Sequence, residues 1–272
     1  MSGPTQLQPL SKSRHGGLYW MRPQGHWYAA RHMLVPVAMA ELARVVSLFP
    51  LAFVPRGGGP VLHALLGLEE GRCACVDHRG QWRAPYIPAW LRSHPFYLAT
   101  GSGGQYVVAV DANAPELQAD AATGSPICDA AGALTADVEA AIEPLRARAQ
   151  QHAATDRATQ ALAEAGLLVP WQPSVRVSGS TRTLGGLQRV DETRLQALPA
   201  DALAALRDAG ALGLAYAQLL STEQIRVLEH QAQRRRREEA HLPAMDDMIG
   251  DAGGEQQFDW GALGAEDDPP GD

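Results

Sequence analysis

The sequence predicts an α+β fold, mixed and β-rich in its first half, helix-rich in its second, and closed by an acidic tail. Three observations carry this reading. Up to about Asp129 the chain is a succession of short apolar or β-branched runs, such as "LAFVP", "VLHALLGL" and "QYVVAVD", separated by Gly/Pro-rich turns. After Gly132 it turns Ala-rich, with apolar residues recurring at helical spacing. After Arg234 the periodic apolar content ends.

Taken in order, residues 1–14 read as a flexible lead-in to His15. Residues 15–130 form the mixed β-rich part. Within it, Leu18 to Phe53 reads as a strand, a Gly-Pro loop and a helix over "VPVAMAELARVVSLFP", with Pro36 in the first turn and Pro50 as the stop. "RCACVDHRGQW" reads as strand, turn, strand. Residues 131–233 form the helix-rich part, starting with a long Ala-rich helix interrupted near Pro144. A short β segment follows near 171–187, then two helical stretches, the first beginning at Asp201 and ending at Gly210 as a C-cap would. Residues 234–272 open basic, turn acidic and read as a disordered acidic tail carrying one small aromatic island, "FDWGAL".

Composition narrows the function. A chain of 272 residues that is 46% hydrophobic can bury a sizeable core, as one large or two modest domains of roughly 100–200 residues. A formal net charge of -7 argues against a general nucleic-acid surface. The cysteines, Cys73, Cys75 and Cys128, make no disulfide framework and suit a reduced compartment. The N-terminus lacks the apolar core of a signal peptide, and the longest apolar stretch is broken by Pro36, Glu41, Arg44 and Pro50, so neither secretion nor a membrane span is expected. The expected location is cytoplasmic.

No motif nominates a reaction. Cys73, Cys75 and His78 are of metal-ligating types, but their spacing is wrong for a zinc knuckle and no second pair exists. Two small buried side chains on one strand face explain them better, and no metal is expected. "RGGGP" and "GSGGQ" lack the features of a phosphate loop, and there is no nucleophile elbow or zinc-protease helix, so no cofactor is expected. The "RRRR" at 234–237 lies beside Glu238 and Glu239, as a solvated helix end would.

The stretch "WRAPYIPAWLRSHPFYLA" offers more. Pro88 can start a short helix that Pro95 must end, which hangs Trp82, Tyr86, Trp90, Phe96 and Tyr97 on a stiff backbone among Arg83, Arg92 and His94. Stiff aromatics with polar handles suit a binding pocket, because little rotamer freedom is lost on contact. The same side chains could instead fasten a corner of the core.

The chain also resembles the SapC-like family, named for a protein associated with bacterial surface layers. The resemblance starts at "SRHGGL" with His15 and continues through "HMLVPVAMAELARVVSLFPLAF", where Pro36, Glu41, Pro50 and Phe53 match the family pattern. It then takes in the Trp, Tyr-x-Pro, Arg and Pro-Phe of "GQWRAPYIPAWLRSHPFYLA", and ends with "VDETRLQALPADALAALRDAGALGLAYAQLLS". It covers roughly His15 to Leu228. The family pattern has an asparagine near Cys73 and a histidine at Gln218, and the chain departs from it at both.

The resemblance implies a non-catalytic accessory protein of a bacterial cell-envelope or surface-layer system. Its partner would be a peptide or envelope protein ligand, with Trp82, Tyr86, Trp90, Arg92 and Phe96 lining the contact. An arginine beside aromatics suits an acidic or carboxylate-bearing ligand. The alternative is an enzyme that modifies a peptide or amino-acid-derived substrate, which needs His15 and Glu41 to converge with the aromatic block. A third reading buries the block and leaves the tail as the partner surface.

Overall fold

In the computed structural model, residues 6–100, 106–119, 124–177 and 179–241 are described. The chain opens with β1 (Leu7–Pro9), the helical turn α1 (Lys12–His15), β2 (Tyr19–Trp20) and β3 (Leu34–Pro36). A 3-10 turn, Met39–Glu41, leads into α2 (Leu42–Val45), β4 (Leu51–Val54) and β5 (Val61–Leu65). Next come α3 (Ala89–Arg92), β6 (Phe96–Thr100), β7 (Tyr106–Asp111), β8 (Leu117–Gln118) and β9 (Ser125–Pro126). The second half holds α4 (Ala136–Glu164), β10 (Leu168–Trp171), β11 (Ser174–Val177), β12 (Ser180–Thr183) and β13 (Leu187–Val190). It closes with α5 (Glu192–Gln196), α6 (Ala200–Asp208), α7 (Ala211–Ser221) and α8 (Gln224–Ala240). The α+β class is what the sequence predicts.

The central sheet has the order β10-β13-β4-β5-β3 and is antiparallel throughout. Strands from both halves of the chain therefore share one sheet. They also share one core, where Phe49, Phe53 and Leu62 pack with Leu162, Leu206 and Leu214. The β4–β13 junction is thin, registering through Gln188 opposite Phe53. Two buried polar residues of α7 stitch it. Gln218 accepts a hydrogen bond from Val190 N at 2.9 Å and donates to Leu51 O at 3.1 Å, and Ser221 Oγ accepts from Leu51 N at 2.9 Å. A second sheet, β1-β7-β6, carries its own core, with Trp20, Phe96, Val110, Ile127 and Ile142.

Four sequence expectations need correction. Within the lead-in, Leu7–Pro9 forms a strand that pairs antiparallel with β7, because the edge of that strand offers unpaired backbone groups. Val35 and Pro36 end a strand rather than start a helix, so the helical run begins only at Met39. The long helix is not interrupted at Pro144: Val138, Ile142 and Leu145 are buried on both sides of it. Pro144 and Ala140, whose carbonyl loses its partner, are exposed, where solvent can meet it. Finally, α8 runs past Arg234 to Ala240, held by Arg236 to Glu69 and Arg72 to Glu239. "FDWGAL" lies outside the described residues.

Candidate functional site

The aromatic block begins with a turn. Asp77 Oδ1 accepts from the backbone N of Arg79 and of Gln81, and Gly80 takes a left-handed φ of 74°. The turn brings Trp82 back to bridge Val76. Trp82 Nε1 then donates to Tyr86 O at 3.1 Å, closing the loop around Pro85. Pro88 caps α3 in extended geometry, so Ala89 is the first helical residue and its N–H points outward from the helix.

That N–H meets Glu41. The carboxylate is buried, and Oε1 accepts from Ala89 N at 2.7 Å and from the Tyr86 hydroxyl at 2.8 Å. Oε2 accepts from Ala38 N at 3.3 Å, the return half of a capping box. Glu41 thus ties the 3-10 turn, the Pro-rich loop and α3 together. Tyr86 is held by its hydroxyl, and the Arg44 and Arg92 guanidinium groups lie over its ring at 5.5 and 5.3 Å. Arg92 Nη2 also donates to the Tyr86 hydroxyl at 3.1 Å. Burial, with the Glu41 carboxylate, holds the Tyr86 hydroxyl above its ordinary pKa.

Helix α4 supplies the opposite wall. Burial, together with the charge of Arg92, pulls Arg148 below its usual pKa, while Glu41 and Tyr86 act the other way. Arg148 thus lies within reach of the charges of Arg92 and Glu41, and adds a third arginine to the neighbourhood of Tyr86. His152 and Asp156 follow at successive four-residue steps of the same helix, each about 6 Å further along its axis. They lead from the arginine cluster into a cleft of about 880 Å3 whose wall includes Val37, Leu62, Trp90, Leu98, Tyr106 and His152. Tyr106 donates to Asp156 Oδ2 at 2.5 Å, and its ring lies 5.5 Å from that of His152. Burial holds His152 below its ordinary pKa.

The predicted site residues divide. Glu41, Tyr86 and Arg92 come together, and Trp90, half-buried, stands in the cleft wall. Trp82 supports the loop from beneath. Phe96 belongs to the core and not to a contact surface: it is fully buried and packs edge-on against Trp20 at 5.2 Å. His15 does not join the block through its hydrogen bonds, which are with the backbone of Ser11. It is buried at the base of α1. Of the two residues that an enzyme would need at the aromatic block, Glu41 is bonded to it, and the hydrogen bonds of His15 go to Ser11.

Several residues of the site were not singled out from sequence. Arg44, Arg148 and His152 are distant from the block in the chain: the Glu41 joint brings Arg44 over Tyr86, and the packing of α4 brings Arg148 and His152. His94 and Tyr97, which the sequence reading places in the block, instead form a second, buried cluster. His94 hydrogen-bonds the Tyr97 hydroxyl at 2.8 Å and Glu116 Oε2 at 2.9 Å, and stacks on Tyr28 with ring centroids 4.2 Å apart. Burial pushes the Tyr28 hydroxyl up to about 12, aided by the nearby Glu116 charge. Trp90 leans on Tyr97 at 4.3 Å, so this cluster backs the cleft wall. Histidine, proline and tyrosine in "HPFY" were the available signal.

Among the described residues, no group of three or more His, Cys, Asp or Glu is placed to hold a metal ion. No described helix is long and apolar enough to cross a membrane. No curated protein and no solved structure matches this sequence. The SapC family model matches residues 10–228, a span that contains the arginine cluster, the aromatic block and all of α4. The chain belongs to the SapC family.

Proposed function

We propose that this chain is a non-catalytic accessory protein of a bacterial cell-envelope or surface-layer system that binds an acidic segment of a peptide or protein. The observation that carries the reading is Tyr86, pinned by the buried Glu41 and overlaid by Arg44 and Arg92, beside a cleft walled by Trp90. Glu41 carries a single negative charge and its oxygens are taken by Ala38, Tyr86 and Ala89, so the arginines around Tyr86 outnumber it and keep donors free for a ligand. A carboxylate meeting Arg92 gains charge-assisted bonds at a group already ordered by its stacking on Tyr86. The neighbouring side chains of the same ligand would then lie along α4 into the cleft, against Trp90, Leu98 and Tyr106.

The test is binding of an array of short peptides with acidic and apolar positions varied independently. Retained peptides should pair an acidic residue with an aromatic or aliphatic neighbour. Because Arg92 is exposed, Arg92→Ala should leave thermal unfolding unchanged. It should weaken binding by about 10- to 100-fold, the worth of one charge-assisted contact. Binding should also fall as salt rises. Acidic peptides that bind the variant as well as the wild type would remove the arginine cluster as the site.

A further inference from the structure

A second feature lies where the loop 67–77 and the start of the block meet α8. Cys73 and Cys75 are not on one strand face as their spacing suggests, because Ala74 and Cys75 lie in a turn. The turn folds the backbone back, so that Cys75 N donates to Cys73 Sγ at 3.4 Å and the two thiols contact one another. Both are buried, yet Cys75 lines a pocket of about 120 Å3 together with Asp77, Arg83, Gln231 and Arg235. Its thiol also reaches Gln231 Oε1 at 3.9 Å.

Arg235 makes this pocket unusual. Its side chain is 13% exposed and its Nε donates to Glu239, but its Nη1 is buried without a hydrogen-bond partner among the described residues. An unmatched buried cationic donor costs free energy unless an anion meets it. Glu239 meets Nε, and Nη1 is left to face a thiolate or the oxyanion of a departing peroxide in the pocket. Burial pushes the Cys73 thiol up, but the hydrogen bonds from Cys75 and the charge of Arg235 outweigh it and bring Cys73 below its ordinary value. Cys75 moves the other way, raised by its hydrogen bond with Cys73 and by burial.

We propose that Cys73 and Cys75 form a peroxide-oxidisable dithiol, entered through the pocket beside Arg235. Cys73 in its thiolate form acts as the base: it takes the proton of Cys75, the thiol that lines the pocket, as the Cys75 sulfur attacks one oxygen of hydrogen peroxide. An S–O bond forms, the O–O bond breaks, and the hydroxide released takes up the proton as water. The Cys73 thiolate then attacks Cys75 Sγ, forming the S–S bond and expelling the sulfenic oxygen, which leaves as a second water after protonation from solvent. Two thiols are oxidised and one peroxide is reduced, with two waters as products. Residues two apart close a small ring, so the disulfide is strained and readily reduced by thiols, as regulatory disulfides are. Its formation removes the Cys75 bond to Gln231 and so one of the ties between the loop and α8.

The experiment treats the full-length chain with hydrogen peroxide, blocks free thiols with an alkylating agent under denaturing conditions, and maps the products by mass spectrometry. The expected result is a bridge within the peptide containing Cys73 and Cys75, an unbridged Cys128, and full recovery of thiols on adding dithiothreitol. Arg235→Gln should slow bridging by about tenfold, because the cation that favours the thiolate is lost. The folded chain should also react faster than the same chain in urea. Three results would each overturn the proposal: both thiols still alkylated, over-oxidation of Cys75 without a bridge, or equal rates for the folded and unfolded chains. An Arg235→Gln variant that folds and bridges at the wild-type rate would remove the activating role on which the proposal stands.

Discussion

Glu41→Ala tests the central joint of the site. In the folded chain the carboxylate satisfies Ala38 N and Ala89 N, both in buried residues, and the half-buried Tyr86 hydroxyl. Removing it leaves two buried N–H groups without an acceptor, at about 1–3 kcal/mol each, and loses a charge-assisted bond from Tyr86. Part of this is offset because a carboxylate no longer has to be buried. The expected net loss is about 3–5 kcal/mol, read by urea unfolding, or a fall in Tm on the order of 10 °C for a chain of this size. Glu41→Gln keeps an oxygen for Tyr86 and Ala89 but sets an amide donor against Ala38 N, and should cost about 1–2 kcal/mol. A double-mutant cycle of Glu41→Ala with Tyr86→Phe should return a coupling of about 1–2 kcal/mol. A loss below about 1 kcal/mol for Glu41→Ala, with no coupling to Tyr86, would refute the claim that this carboxylate holds the platform together.

Two further outcomes follow from the same structure. Gln218→Met preserves volume but strands Val190 N and Leu51 O, so stability should drop by about 2–5 kcal/mol; a neutral variant would mean that β4 and β13 do not depend on this stitch. Stability should also fall on mild acidification. Burial is the leading cause that holds His32, His63 and His152 below the ordinary 6.5, so the unfolded chain binds protons that the folded chain refuses. Their contribution is complete above the unfolded value and is lost as pH drops from there towards the lowered folded values. Unfolding free energies at about pH 7.5 and about pH 5.5 should therefore differ, and His152→Gln should shrink the difference; a flat profile would exclude the effect.

The two halves of the chain show where local sequence suffices and where it does not. The helical stretches of α4 and of α7 with α8 were legible because apolar residues at helical spacing declare a buried face, although α7 and α8 read as one helix and α4 as an interrupted one; α3 was legible because two prolines fix where a helix can begin and stop. The aromatic block was legible as a cluster, since rigid rings and arginines within eighteen residues are a local property of the chain. The family was legible for the same reason, being carried by short blocks in order. What the sequence could not declare was the destination of each ring. Phe96 and Trp90 lie six residues apart on the same stiff segment, yet one is sealed against Trp20 and the other lines a cleft. That choice depends on which surface α4 presents, and α4 begins forty residues later.

Long-range contact likewise decided the charges. Glu41 looked like a candidate acid or base until Ala89 and Tyr86 arrived from nearly fifty residues away and took its lone pairs. Arg44 and Arg148 had no local mark at all. Cys73 and Cys75 read as a strand pair by spacing, and the turn that joins them is set by Ala74 N bonding Leu66 O and Cys73 N bonding Ala30 O. By itself the sequence determined the fold class, the family, most helices and the stretch in which to look for a site, because each rests on periodicity, turn chemistry or composition within a short window. The tertiary structure decided which side chains face the cleft, which carboxylate is spent and which arginines are gathered, because those depend on pairings between residues far apart in the chain.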